Sequence, residues 1–200
     1  MRSIEQLKAL AASQNGIIRA SDIASLKIDY RLLQKWIRSG AIEKIKQGYY
    51  GLTEDMENRS EAALIAELFP DGVICMYSAL FYYRYSDRTP LNWDIAINKN
   101  ASKARFHLDY PYIQPYYLEA TQLEYGVTTA DYQDCALQIF DRDRLICECL
   151  RYENKMDREI FNKAVQGYIG DAKRSISTLL EYAKRRRILK KVKDRIGIWL

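Results

Sequence analysis

Between Asp29 and Leu52 the spacing of apolar positions changes, and the change marks two kinds of element laid end to end. Leu33, Trp36 and Ile37 recur at the i, i+3, i+4 spacing of one helix face. Arg31, Gln34, Lys35 and Arg38 then fall together on the opposite face, three and four residues apart. Asp29 is a candidate N-cap, because its carboxylate can accept an amide that the first helical turn leaves without a partner. Ser39-Gly40 stops the helix, since glycine tolerates the left-handed conformation common at helix ends. From Ile42 the apolar residues flank charged ones in a short strand. Gln47-Gly48 reads as a turn and Tyr49 to Leu52 as the returning strand.

The preceding residues supply two more helices. Ser3-Ile4-Glu5-Gln6 fits a capping box ahead of a helix that runs to about Ser13 and turns Ile4, Leu7, Leu10 and Ala11 inward. Asn15-Gly16 breaks it, Ile17-Ile18 reads as a short strand, and Ala20 to Leu26 as a second helix. Helix, helix, helix, hairpin within residues 1–52 predicts a winged helix-turn-helix. Residues 53–59 are polar and charged, a linker or the start of a connecting helix.

Residues 60–200 carry a different order. Glu61 to Phe69 has a helical stripe that ends at the turn signal Pro70-Asp71-Gly72. Val73 to Met76 reads as a strand and Ser78 to Tyr85 as a tyrosine-rich helix. Strands are predicted at Trp93–Asn98, Ala104–Leu108, Tyr112–Leu118, Tyr125–Thr129 and Cys135–Phe140. Pro111 and Pro115 put the Tyr112 segment at a sheet edge, because proline cannot donate to the ladder. From Asp141 the period is helical: Leu145, Ile146, Cys149 and Leu150 form one stripe, and Ile160, Phe161, Ala164, Val165, Tyr168 and Ile169 another. Ser175–Arg187 and Leu189–Leu200 read as two further helices, the last burying Leu189, Val192, Ile196 and Trp199. The fold class is thus α+β: an N-terminal winged helix-turn-helix, then an α+β domain with strands over about 73–140 and a helical bundle over 141–200.

Composition leaves that picture in place. Apolar residues make up 48% of 200 and charged residues 28%, enough for a substantial core. No apolar run is long enough to span a bilayer, and the N-terminal MRSIEQLKAL lacks the apolar core of a secretion signal. The expected location is the cytoplasm, with no membrane contact. Cys75, Cys135, Cys147 and Cys149 have no C-x-x-C spacing and read as free thiols.

Charge sharpens the functional reading. Residues 1–52 hold nine Lys/Arg against four Asp/Glu, a net +5 that accounts for the whole chain's +5. Lys184 to Arg195 holds eight bases and one acid, which leaves −7 for residues 53–183. Two basic ends around an acidic centre suggest a polyanion touched at the ends. Arg31, Gln34, Lys35 and Arg38 suit a DNA major groove, where arginine pairs with guanine and glutamine with adenine. Lys44, Lys46 and Gln47 in the hairpin suit phosphates or the minor groove, and Tyr49 can donate its hydroxyl to a phosphate. Arg185, Arg186, Arg187, Lys190 and Lys191 form a candidate second polyanion contact, against the plainer reading of a solvated helix face. Trp36, within the apolar stripe, reads as core, and most of the many tyrosines as packing with a wet hydroxyl.

Catalytic readings find little support. The single histidine, His107, sits in a predicted strand with no serine or cysteine partner in view. Cys147 and Cys149 are two apart on a predicted helix and face apart, wrong for zinc. Asp71, Asp94 and Lys99 lack the acid-x-lysine spacing of a nuclease, and no glycine-rich phosphate loop appears. No catalytic residue, metal or cofactor is predicted.

The order of motifs carries a resemblance. GAIEKIKQGYYGL at the end of the first domain is followed by PDGVICMYSAL, WDIAI, DRDRLICECLRYENKMDREIFNKAVQGYI and a terminal helix pair. Taken together these resemble the AbiEi family, the antitoxins and transcriptional regulators of abortive-infection, type IV toxin–antitoxin systems. The resemblance runs over nearly the whole chain and is most specific at Asp141 to Tyr168. The family pattern there is an Asp, an Arg three positions on and an Asp four further. Asp141 and Arg144 match, while Glu148 stands where Asp is usual. Read physically, Arg144 and Glu148 are a helical i, i+4 pair, worth roughly 0.3–0.5 kcal/mol if exposed.

The resemblance implies a non-enzymatic protein with two tasks. Its winged helix would bind inverted repeats in double-stranded promoter DNA and repress its own operon, as a monomer in solution or cooperatively on the DNA. Its C-terminal domain would neutralise a nucleotidyltransferase-type toxin without a stable complex. The alternative is a protein-interaction module, or a winged-helix regulator outside any toxin–antitoxin pair.

Overall fold

Every apolar stripe in the first fifty residues reaches one small core. The computed structural model describes residues 2–14 and 16–197, with side chains from residue 4 onward. The elements in order are α1 (Arg2–Ser13), β1 (Ile17–Arg19), α2 (Ala20–Ser25), α3 (Tyr30–Arg38), β2 (Ile42–Lys46) and β3 (Tyr49–Leu52). Leu7, Ala11, Ile18, Ile23, Leu33, Ile42, Tyr50 and Leu52 are buried together, with Trp36 and Ile37 packed against them. The strands form an antiparallel sheet in the order β1-β3-β2, with Ile18 opposite Tyr50 and Ile42 opposite Leu52. Gly48 makes the hairpin turn at φ +80°, a region that favours glycine. The expected side-chain cap at Ser3 and the break at Asn15 lie outside the described side chains.

Of the two readings of the polar stretch, linker or start of a connecting helix, the structure has a helix: Thr53–Glu57 forms α4. Gly51 explains the close approach, because a Cβ there would lie 2.6 Å from the Met56 sulfur. Helix α4 therefore packs on β3 rather than leading freely away from it.

The chain divides into two compact units, Met1–Leu64 with His107–Pro111, and Ile65–Phe106 with Tyr112–Leu200. Helix α5 (Glu61–Leu68) spans the division. The second unit continues with β4 (Val73–Ile74), α6 (Met76–Tyr82), β5 (Trp93–Asn98), β6 (Ile113–Leu118), α7 (Ala120–Leu123), β7 (Val127–Tyr132) and β8 (Cys135–Phe140). The helices α8 (Arg142–Tyr152), α9 (Arg158–Gly170), α10 (Ile176–Arg185) and α11 (Leu189–Ile196) follow. Its mixed sheet has the order β6-β5-β4-β8-β7, with β5–β6 and β4–β8 parallel. Strand β6, which holds Pro115, lies at an edge, where a missing amide breaks no inner ladder. The chain is a mixed α+β protein.

Three local readings change. Ala104–Leu108 is not a strand: Lys103–Phe106 is a 3-10 turn. Arg105 reaches Asp71 through both terminal nitrogens while its neighbour Phe106 stacks on Phe69, at 5.4 Å between ring centroids. The partners Phe69 and Asp71 belong to one turn, so these consecutive side chains reach the same feature, whereas in a strand they would point to opposite faces. The strand expected from Tyr125 begins at Val127, because Gly126 takes φ +67° and a Cβ there would meet the Arg144 side chain at 2.6 Å. Strand β5 is buried from Trp93 to Ile97 rather than alternating, since it is an inner strand of the sheet. The burial expected for Trp199 lies outside the described residues.

Candidate nucleic-acid interface

Helix α3 is fixed from within. The Asp29 carboxylate accepts the Arg31 amide at 2.6 Å, which caps the first turn. Leu33 is buried, and Trp36 and Ile37 hold the same side of the helix against the core. Arg31, Lys35 and Arg38 on the other side are exposed, and Gln34 is half-buried. None of these four side chains is held in an ion pair or hydrogen bond among the described residues. Three cations and an amide on a rigid face, without acids to neutralise them, suit a polyanion.

The hairpin exposes part of the candidate set. Lys44 and Gln47 are exposed, and Tyr49 is half-buried. Lys46 departs from it: the residue is 8% exposed, and its ammonium lies 4.4 Å from the centre of the Tyr49 ring. The register shift between Lys44 and Lys46 turns both Ile45 and Lys46 inward, which an unbroken alternation would not. Two residues were missed in the sequence. Arg19 ends β1 opposite Tyr49 and is exposed, and the Ala20 amide ties that point to Gly48 at 2.8 Å. Tyr30, the first residue of α3, is 68% exposed. The signal for Arg19 was the run Ile17-Ile18-Arg19, in which a base ends a buried strand.

The C-terminal motif residues occupy the opposite kind of environment. The Asp141 carboxylate accepts the Arg144 amide at 2.7 Å and the Tyr182 hydroxyl at 3.0 Å, capping α8 and tying it to α10. Arg144 is fully buried and donates from Nε to Glu148 at 2.8 Å. Its guanidinium lies 4.2 Å from the Tyr125 ring centre and 4.7 Å from that of Phe140. The second Glu148 oxygen accepts from Arg186 at 2.7 Å, and Arg186 is 2% exposed. The helical i, i+4 pair read from the sequence is present, as part of a buried triad of two arginines around one glutamate. Asp143 beside it accepts the Tyr168 hydroxyl and the Ser175 amide, and burial raises its pKa above the usual carboxylate value.

This corrects the terminal basic run. Arg186 is no surface contact but the bond between α8 and the end of α10. Lys191 donates to the Leu150 carbonyl at 3.0 Å, and Arg185 pairs with Glu181 at 2.7 Å. Arg187 and Lys190 are exposed, as are Lys184 and Lys193. All four cysteines are free thiols, with Cys75, Cys147 and Cys149 buried. Among the described residues no group of His, Cys, Asp or Glu is placed to hold a metal, and no helix is long and apolar enough to cross a membrane.

Residues 5–53 match the family model of the AbiEi antitoxin, a transcriptional regulator. The match runs from within α1 through β3 and includes every candidate DNA-contact residue of the N-terminal unit. No curated protein matches the chain.

Proposed function

We propose that the chain is a DNA-binding antitoxin that represses its own operon. In this reading residues 1–52 act as a winged helix-turn-helix, residues 53–59 connect, and residues 60–200 form the antitoxin domain. Helix α3 enters the major groove of promoter inverted repeats with Arg31, Gln34, Lys35 and Arg38, while Lys44, Gln47 and Tyr49 meet the backbone. Arg187 and Lys190 offer a second polyanion contact. The partner is a nucleotidyltransferase-type toxin in the cytoplasm, neutralised without a stable complex. Asp141, Arg144 and Glu148 serve that domain by holding α8 in place rather than by touching the toxin.

One observation carries this reading: the bases of α3 are exposed, and unpaired among the described residues, on a helix whose other face is anchored in a core. Gel shifts on the upstream inverted repeats test it. Replacing Arg31 and Arg38 together by alanine is expected to abolish repeat-specific binding at physiological salt, and unchanged binding would exclude α3 as the reading element. Co-expression with the neighbouring toxin gene, with and without residues 1–52, tests the antitoxin part.

A further inference from the structure

Asp94 is a buried acid without a basic partner among the described residues. It lies on the inner strand β5 and is 3% exposed. Its Oδ2 accepts the Tyr77 amide at 2.7 Å, at the start of α6. Its backbone is pinned as well, the carbonyl by the Cys75 amide at 2.9 Å and the amide by the Ser78 hydroxyl at 2.9 Å. Burying a carboxylate without an opposite charge is costly, so burial raises the group's pKa to about 7.

Asp94 borders a cavity of about 290 Å³, whose walls include Tyr77, Pro90, Leu91, Asn92 and Ile160. Arg88 also borders it, but that guanidinium is engaged elsewhere, with Glu159 at 2.5 Å and Asp157 at 3.8 Å. The Tyr77 ring is fixed, because the Asp157 amide donates to its hydroxyl at 3.1 Å.

We propose that this cavity binds a small organic cation, a primary ammonium on a short apolar chain, whose charge Asp94 answers. The charge selects a cation and rejects an anion. The carboxylate is already engaged by the backbone of Tyr77 and Ser78 at the start of α6, which suits a single ammonium contact better than a guanidinium needing two parallel acceptors. Pro90, Leu91 and Ile160 supply the apolar contact for the chain. The volume, at the small end of the range for ligand pockets, keeps that chain short. The proposal concerns the C-terminal unit and does not depend on DNA binding.

The test is a titration of the full-length protein with n-butylamine, followed through the backbone amide resonances of Leu91 and Asn92. Equal concentrations of n-butanol and butyrate serve as uncharged and anionic controls. Butylamine is expected to saturate with a Kd on the order of millimolar, with neither control doing so. Asp94→Asn, which keeps the shape, should weaken the amine by about tenfold or more. Leu91→Lys sits at a 90% exposed position that folding tolerates, and its own ammonium should weaken the amine at least about threefold. Butanol binding as well as the amine, Asp94→Asn or Leu91→Lys binding it unchanged, or no saturation by about 50 mM would each overturn the assignment.

Discussion

Arg31 and Arg186 are both arginines in basic, helix-forming sequence, yet they occupy opposite environments. Arg31 stands on the outer face of α3 with no partner among the described residues, while Arg186 is 2% exposed and bonded to Glu148. The contrast is sharper still between neighbours. Arg185 is half-exposed with a helical partner at Glu181, and Arg186, one residue on, points into the core between α8 and α10. A helix turns about 100° per residue, so a run of bases is divided between faces whatever its net charge. Local positive charge is therefore evidence for a polyanion only where the packed face is known.

The largest expected effect tests the buried side of this contrast. Glu148→Gln leaves two buried guanidinium groups facing each other and should lower the unfolding free energy by about 3–5 kcal/mol in urea titrations. Replacing Arg144, Glu148 and Arg186 together by Met, Leu and Met should restore most of that loss, because the triad's desolvation cost disappears with its charges. If Glu148→Gln were neutral, the triad would not be what joins α8 to α10.

On the exposed side, Arg31→Ala or Arg38→Ala should each weaken operator binding by about 1–3 kcal/mol. Urea stability should stay within about 0.5 kcal/mol of the parent, as for other exposed positions. A comparable loss of stability would mean that these side chains brace the fold and do not read DNA.

A third prediction follows from Asp94, whose pKa rises from 3.8 to about 7 through burial. The folded form binds this proton more tightly than the unfolded form, so the group favours folding less as pH rises. Its effect begins near pH 4 and is complete near pH 7, with stability falling by up to about 1.4 kcal/mol per pH unit between them. Cys75, Cys149 and Tyr116 nearby are pushed up by burial and stay neutral in that window. Asp94→Asn should flatten the fall, measured as urea midpoints from pH 4 to 8, and an equally steep curve would assign it to other groups. The smallest effect belongs to Arg185→Ala, an exposed helical pair whose loss should cost at most about 0.5 kcal/mol, against several for Arg186→Ala.

The N-terminal unit was legible because its code is local. The Leu33, Trp36, Ile37 stripe, the Asp29 cap and the Gly48 turn each act within a few residues, and together they dictate which side of α3 faces out. Lys46 escaped that reading although the spacing hints at it: Ile42 and Ile45, three apart, cannot share a face of an unbroken strand, and the bulge that reconciles them also turns Lys46 inward. Helix α8 escaped it differently. Asp143 to Leu150 is buried all the way round, with α6, α9, α10 and α11 packed about it, so no single stripe describes its faces.

By itself, then, the sequence determined the mixed α+β class, the elements of the first fifty residues and the outward face of α3. Those depend on period, capping and turn chemistry, which a short stretch of chain contains. Only the tertiary structure decided that Arg186 belongs to the core, that Glu148 bridges two arginines and that Asp94 borders a cavity with no basic partner among the described residues. Glu148 and Arg186 are 38 residues apart, and Asp94 and Tyr77 are 17 apart. Whether charges so far apart along the chain meet, or are left alone, depends on how the helices and strands pack and on the water that packing removes.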